Sequence, residues 1–169
     1  MKPGTLLVCA AMCAALPGAG WSQAQAPYTA AQVERFVGDG GVDFPVDYQV
    51  SLVEDVIRET KGTFKSVEIL REGEALPAGK PVLRITGVIT RFKPGSRLKR
   101  SLIGFGVGAT VVKARVKFTD AASGQVLHEE EVEGVTVLGL AGGSSESAAG
   151  RLARKIVGLA KSKRLLTRT

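Results

Sequence analysis

The side chains best suited to chemistry fall on one short run, His128-Glu129-Glu130-Glu131, which holds the only histidine of the chain among three carboxylates. An imidazole beside carboxylates is raw material for acid–base hydrolysis or for a metal site. Either use requires the groups to converge. In an extended strand successive side chains point to opposite faces, so His128 and Glu130 share one face while Glu129 and Glu131 share the other. One imidazole with strand carboxylates falls short of a tetrahedral metal site, and no nucleophile accompanies it. The sequence therefore assigns no catalytic residue and no metal ligand set. A small hydrolytic or small-ligand enzyme using His128 and its neighbouring carboxylates stands as the alternative to a non-catalytic binding protein.

Two further runs could bind anions. The glycines of Gly104-Phe105-Gly106-Val107-Gly108 invite comparison with phosphate loops. A dinucleotide fingerprint opens a helix with G-x-G-x-x-G, and a P-loop ends in Gly-Lys-Ser/Thr. Here the glycines alternate and run into a strand, so no helix N-terminus receives a phosphate, and no cofactor motif is present. The run reads instead as a tight corner packed under a helix or as an apolar contact flap, with Phe105 and Val107 from one arm and Leu138 and Leu140 from the other. The second run, Arg91 to Arg100, carries Arg91, Lys93, Arg97, Lys99 and Arg100, the candidate contacts for an anionic partner.

The elements that must position these residues centre on a hairpin. Val112, Ala114, Val116 and Phe118 alternate with Lys113, Arg115 and Lys117, the period-two pattern of a strand with one buried face. Asp120 to Gly124 supplies turn residues, and Val126 to Glu133 forms the returning arm. If Phe118 faces Val126, then Arg115 faces Glu129 and Lys113 faces Glu131. A shift of two residues instead gives Lys117–Glu129, Arg115–Glu131 and Lys113–Glu133. In either register the basic row meets an acidic one, so the stripe neutralises itself rather than offering a bare cationic surface; each exposed pair contributes about 0.2–1 kcal/mol. Extending the first register would set Gly106 opposite Leu138 and Gly104 opposite Leu140. Positive charge without such partners then lies in Arg91 to Arg100 and in the last helix.

Around the hairpin, Gln32 to Val37 reads as a first strand. A helix follows from Phe44 to Thr60, with Asp43 as a candidate cap and Pro45 in the first turn, its stripe made by Val46, Val50, Val53 and Ile57 and widened by Leu52 and Val56. Phe64 to Leu70 and Val82 to Phe92 read as strands, the latter with Leu83, Ile85 and Ile89 on one face. Ser144 and Ser145 cap a final helix from Glu146 to about Arg164. That helix buries Ala149, Leu152, Ile156 and Leu159, and most of its charge lies in its second half, where it complements the helix dipole. The order β-α-β-β-β-β-α predicts an α+β domain, about five strands in a mostly antiparallel sheet with two helices packed on one face.

Residues 1–26 read as a secretory signal peptide. Lys2 precedes a short apolar run from Leu6 to Leu16, Pro17-Gly18 breaks it, and small-x-small sites predict cleavage after Ala24 or Ala26. The run is shorter than the roughly 20 apolar residues of a membrane span. Cys9 and Cys13 both lie inside it, so there is no usable lipobox. Cleavage removes both cysteines, both methionines and Trp21, leaving residues 27–169 as a single domain without disulfides. Aromatics make up only 5% of the chain, so its core is aliphatic. The formal charge of +7, one less without Lys2, suits anionic partners. An exported basic domain points to an envelope protein or an anionic membrane or lipopolysaccharide surface as partner, with homo-oligomerisation through the flap, and not to nucleic acid.

The run Ile85 to Arg97 (ITGVITRFKPGSR), the glycine run leading into a strand, and Asp120-Ala-Ala-Ser-Gly124 before a second strand occur in an order that resembles the bacterial exported family known as domain of unknown function 4410. The resemblance covers the chain from the first helix onward. It implies an envelope location and assigns no catalytic residues; many relatives are lipoproteins, and this chain departs from them in its leader. Together these features predict a non-catalytic periplasmic or secreted module.

Overall fold

The computed structural model describes residues 28–95, 109–136 and 147–167. Five strands and two helices follow in the order β1 (Ala30–Gly38), α1 (Val46–Thr63), β2 (Glu68–Arg71), β3 (Val82–Lys93), β4 (Val111–Asp120), β5 (Val126–Val135) and α2 (Ala148–Ser162). They build the α+β architecture expected, a single sheet of order β2-β1-β3-β4-β5 with both helices on one face. None of the described helices is long and apolar enough to cross a membrane.

The sheet is mixed rather than mostly antiparallel. β1 pairs in parallel with β2 on one side and β3 on the other, and β3-β4-β5 is an antiparallel meander. The reason lies in α1, which carries the chain back along the sheet so that β2 enters in the same direction as β1. β2 is also shorter than its pattern suggested: Phe64 and Val67 are buried in the core but precede the paired residues, which begin at Glu68.

The core is mostly aliphatic, with five buried rings among the described residues: Tyr28, Phe36, Phe44, Phe64 and Phe118. Val33 and Phe36 from β1, Leu83, Ile85 and Ile89 from β3, and Val112 and Phe118 from β4 meet Leu52 and Val56 of α1 and Leu152 and Ile156 of α2. A register shift between Val33 and Phe36 resets the alternation of β1, so that both residues reach the helical face. Gly87 makes room for the Phe36 ring, which lies 2.3 Å from where a Cβ on Gly87 would stand.

α2 buries Ala149, Leu152 and Ile156 as expected, whereas α1 departs from its expected face. In α1 the buried residues are Leu52, Asp55, Val56, Ile57 and Thr60, whereas Val46 and Val50 are 68% and 56% exposed. Thr60 is accommodated by donating its hydroxyl to the Val56 carbonyl at 2.7 Å, and Asp55 by its contact with the Arg58 guanidinium. In α2 the cap is Ser147, whose Oγ accepts from the Gly150 amide at 2.9 Å; Ser144 and Ser145 lie outside the described residues. Because α2 ends at Ser162, Arg151, Arg154 and Lys155 fall in its first eight residues and only Lys161 in its last turn. The dipole therefore does not account for most of its charge.

The ends of the domain are tied together. The Tyr28 amide donates to the Leu165 carbonyl at 2.8 Å, and the Thr167 amide and hydroxyl donate to the Tyr28 carbonyl at 3.0 and 2.7 Å. The Tyr28 hydroxyl donates to Asp120 Oδ2 at 3.0 Å, anchoring this join to the β4–β5 turn.

Candidate binding surfaces

The open face of the sheet carries the charged hairpin. β4 and β5 adopt the second of the two registers, with Lys117 opposite Glu129, Arg115 opposite Glu131 and Lys113 opposite Glu133. A shift between Phe118 and Thr119 absorbs the extra residue, so Phe118 faces His128 and Val126 faces Thr119. The pairing of glycines with bulky residues belonged to the other register, and its extension lies outside the described residues. Ion pairs run along the ladder at 3.4 Å (Lys113–Glu133), 3.5 Å (Lys117–Glu129) and 4.0 Å (Arg115–Glu129, Lys113–Glu131). Glu131 also accepts from Thr90 Oγ1 at 2.8 Å. The basic row of β4 is neutralised where it stands.

His128 sits on the helical side of β5, at the margin of the core. Its ring stacks on Phe118, with centroids 6.3 Å apart and planes at 23°, and its Nε2 lies 2.9 Å from Glu130 Oε2. The pair anticipated on one face thus exists. Among the described residues no three metal-ligating side chains converge, and neither His128 nor Glu130 lines one of the three clefts described below.

Of the proposed anion contacts, Arg91 and Lys93 are exposed at the end of β3. Arg91 lines a cavity of about 470 Å³ with Tyr48, Thr90, Phe92 and Pro94. Beneath it Phe92 meets Phe44 edge-on at 5.2 Å and Tyr48 at 4.9 Å. Arg97, Lys99 and Arg100 lie outside the described residues, as do the flap residues Phe105, Val107, Leu138 and Leu140.

The most apolar cleft was not anticipated. Val46, Val50 and Val53 of α1 line it with Val33 and Gln49, enclosing about 330 Å³ between α1 and the β1–β2 edge of the sheet. Its walls are ionic. Arg71 grips Glu54 with both terminal guanidinium nitrogens, one of them at 3.1 Å, and Arg35 meets Glu72 at 3.5 Å. The hydrogen bond from Arg71 holds the Glu54 carboxyl below its ordinary range, against the opposing effect of desolvation and with help from the charges of Arg71 and Lys61. The sequence carries this signal as the stripe of Val46, Val50 and Val53, a pattern that ordinarily faces the core.

A third cleft, also about 330 Å³, is strongly basic. Arg151, Arg154 and Lys155 of α2 line it with Glu133 and Val135 of β5. β5 and α2 approach closely here because Gly134 has no side chain.

Comparison with known proteins places this geometry. No curated protein matches the sequence significantly. Among solved structures, two of the PelC dodecamer from Paraburkholderia phytofirmans share the fold. One, a single-substitution variant, has 12% identity and a TM-score of 0.55 over 84% of this chain and 89% of that chain. The other has 13% identity and a TM-score of 0.53 over 86% and 94%. Hypothetical protein CT253 from Chlamydia trachomatis is similar at 13% identity and a TM-score of 0.49, over 82% of this chain and 98% of that chain. A family model matches residues 51–140, from within α1 through the whole of β5. The chain belongs to the family described as Domain of unknown function (DUF4410).

Proposed function

We propose that the protein is a non-catalytic, envelope-associated binding and assembly module, in which the valine-lined groove beside α1 seats a second copy of the chain. The exposure of Val46 and Val50 carries this reading. An amphipathic helix normally turns its apolar stripe to the core, yet these two valines face outward into a preformed groove. Burying a valine contributes about 1.5–3 kcal/mol. The flanking Arg71–Glu54 and Arg35–Glu72 pairs would form the polar rim of such a contact. The dodecameric state of the PelC structures supports self-assembly on this fold, and the leader over residues 1–26 supports a periplasmic or secreted location. Partners beyond the chain itself are an envelope protein or an anionic membrane or lipopolysaccharide surface, with Arg91, Lys93, Arg97, Lys99 and Arg100 as contacts. Phe105, Val107, Leu138 and Leu140 offer a second apolar contact.

Light scattering on the purified protein and on Val46→Asp/Val50→Asp tests the groove. A discrete oligomer that becomes monomeric in the variant, with an unchanged melting midpoint, is expected. A monomer at every soluble concentration, or an oligomer indifferent to the substitutions, would count against it. His128→Ala should leave any cellular phenotype intact; its loss would favour the enzymatic alternative.

A further inference from the structure

The outer face of α2 is the most one-sided surface among the described helices. At 100° per residue, Arg151, Arg154, Lys155, Gly158, Lys161 and Ser162 share one arc, opposite the buried Leu152, Ala153, Ile156 and Ala160. The helix carries four bases and no acid, whereas α1 beside it carries four acids and two bases. Lys163 and Arg164, both exposed, continue the charge past the helix end. From Arg151 to Arg164 the row extends about 20 Å at the helical rise.

Three backbone-level observations indicate that the row is not simply a solvated face. Arg151, Arg154 and Lys155 stand in the first half of α2, where the macrodipole gives cations no support. Gly158 sits near the middle of the arc, although a Cβ there would meet nothing within 4 Å. No packing contact demands that glycine, and glycine inside a helix is unfavourable relative to alanine. Just past the C-cap Lys163, Arg164 has φ +55°, a left-handed position where glycine is the usual residue. Local stability would favour alanine at 158 and glycine at 164; the chain instead keeps bare backbone amid the cations and adds another cation at the end.

We infer that the outer face of α2, with the cleft it forms against β5, docks the protein onto an anionic phospholipid surface through its headgroup phosphates. The choice of a lipid surface over a protein rests on what the face lacks. Protein interfaces are anchored by buried aromatic or apolar residues, and this arc has none; Leu159 and Leu165 at its margins are turned towards the core. A fluid plane of phosphates needs only charge, and clusters of four to eight Lys or Arg on a helix bind such planes at about 1 kcal/mol each. The cleft at the β5 end, lined by Arg151, Arg154 and Lys155, has room for one headgroup phosphate. The preference for lipid over nucleic acid rests on the envelope location proposed above, whereas vesicle binding itself is measured independently of location or assembly.

The test is flotation of the purified protein with vesicles of phosphatidylcholine alone and of phosphatidylcholine with phosphatidylglycerol, at low and high salt. Binding should require phosphatidylglycerol and weaken with salt. Arg154→Gln/Lys155→Gln, both exposed positions, should lower the partition constant roughly 25-fold, taking about fivefold per cation. Arg164→Gly separates this role from a structural one: it should raise the melting midpoint and yet weaken vesicle binding severalfold. Equal binding to both vesicle types, or glutamine variants that bind as wild type while Arg91→Gln/Lys93→Gln does not, would overturn the assignment. So would tighter binding to DNA or polyglutamate than to the anionic vesicles.

Discussion

Gly134 and Leu152 meet almost backbone to backbone: a Cβ on Gly134 would stand 2.9 Å from Leu152 Cβ, 2.8 Å from its amide nitrogen and 2.2 Å from the Ala148 carbonyl oxygen. The first turn of α2 thus rests directly on β5. Gly134→Ala has no flexible side chain to push aside and should cost about 1–3 kcal/mol, as overpacked sites do. Gly158→Ala, with open space around it, should instead gain roughly 0.5–1 kcal/mol. Denaturant midpoints of the two variants should move in opposite directions; two shifts of the same sign would refute this account of how α2 is seated.

Tyr28 links stability to alkaline pH. Its hydroxyl is pushed up from 10.0 to about 12, chiefly by burial and then by its hydrogen bond to Asp120 and the charge of that carboxylate. Asp120 is held low, above all by the amide and hydroxyl of Ser123. An unfolded chain loses the phenol proton near pH 10 and the folded one near 12, so this contribution is complete below pH 10 and is lost as pH rises towards 12. Thermal midpoints across that window should fall more steeply for the wild type than for Tyr28→Phe. Parallel curves would show that the hydroxyl is not the linked group.

Processing of the leader has an optical signature. Trp21 is the only tryptophan and lies ahead of the domain, so the exported protein should emit as tyrosine alone. Its intact mass should correspond to cleavage after Ala24 or Ala26. Strong tryptophan emission from a periplasmic preparation would show that residues 1–26 are retained.

Much of the fold was legible because alternation is a local property. Lys113, Arg115 and Lys117 against Val112, Ala114, Val116 and Phe118 set the faces of β4 without any knowledge of the neighbours. Register was narrowed to two choices and settled by a bulge, which periodicity does not report. In α1 the difficulty was two apolar stripes about a quarter turn apart on one helix. Asp55 and Thr60 disguise the buried one, and the valines advertise the exposed one. Their ranking depends on where β1 and β2 lie, which is tertiary information. The α2 cleft was half visible: its cations could be counted, but their meeting with β5 depends on the absent side chain of Gly134.

The join between Tyr28 and residues 165–167 also sets an order of events. A ribosome delivers Tyr28 well before residues 165–167, so the lead-in to the first strand waits for its partner until α2 has been made. Closure therefore follows the synthesis of α2. That delay would keep the chain threadable, a property that transport through a narrow channel demands.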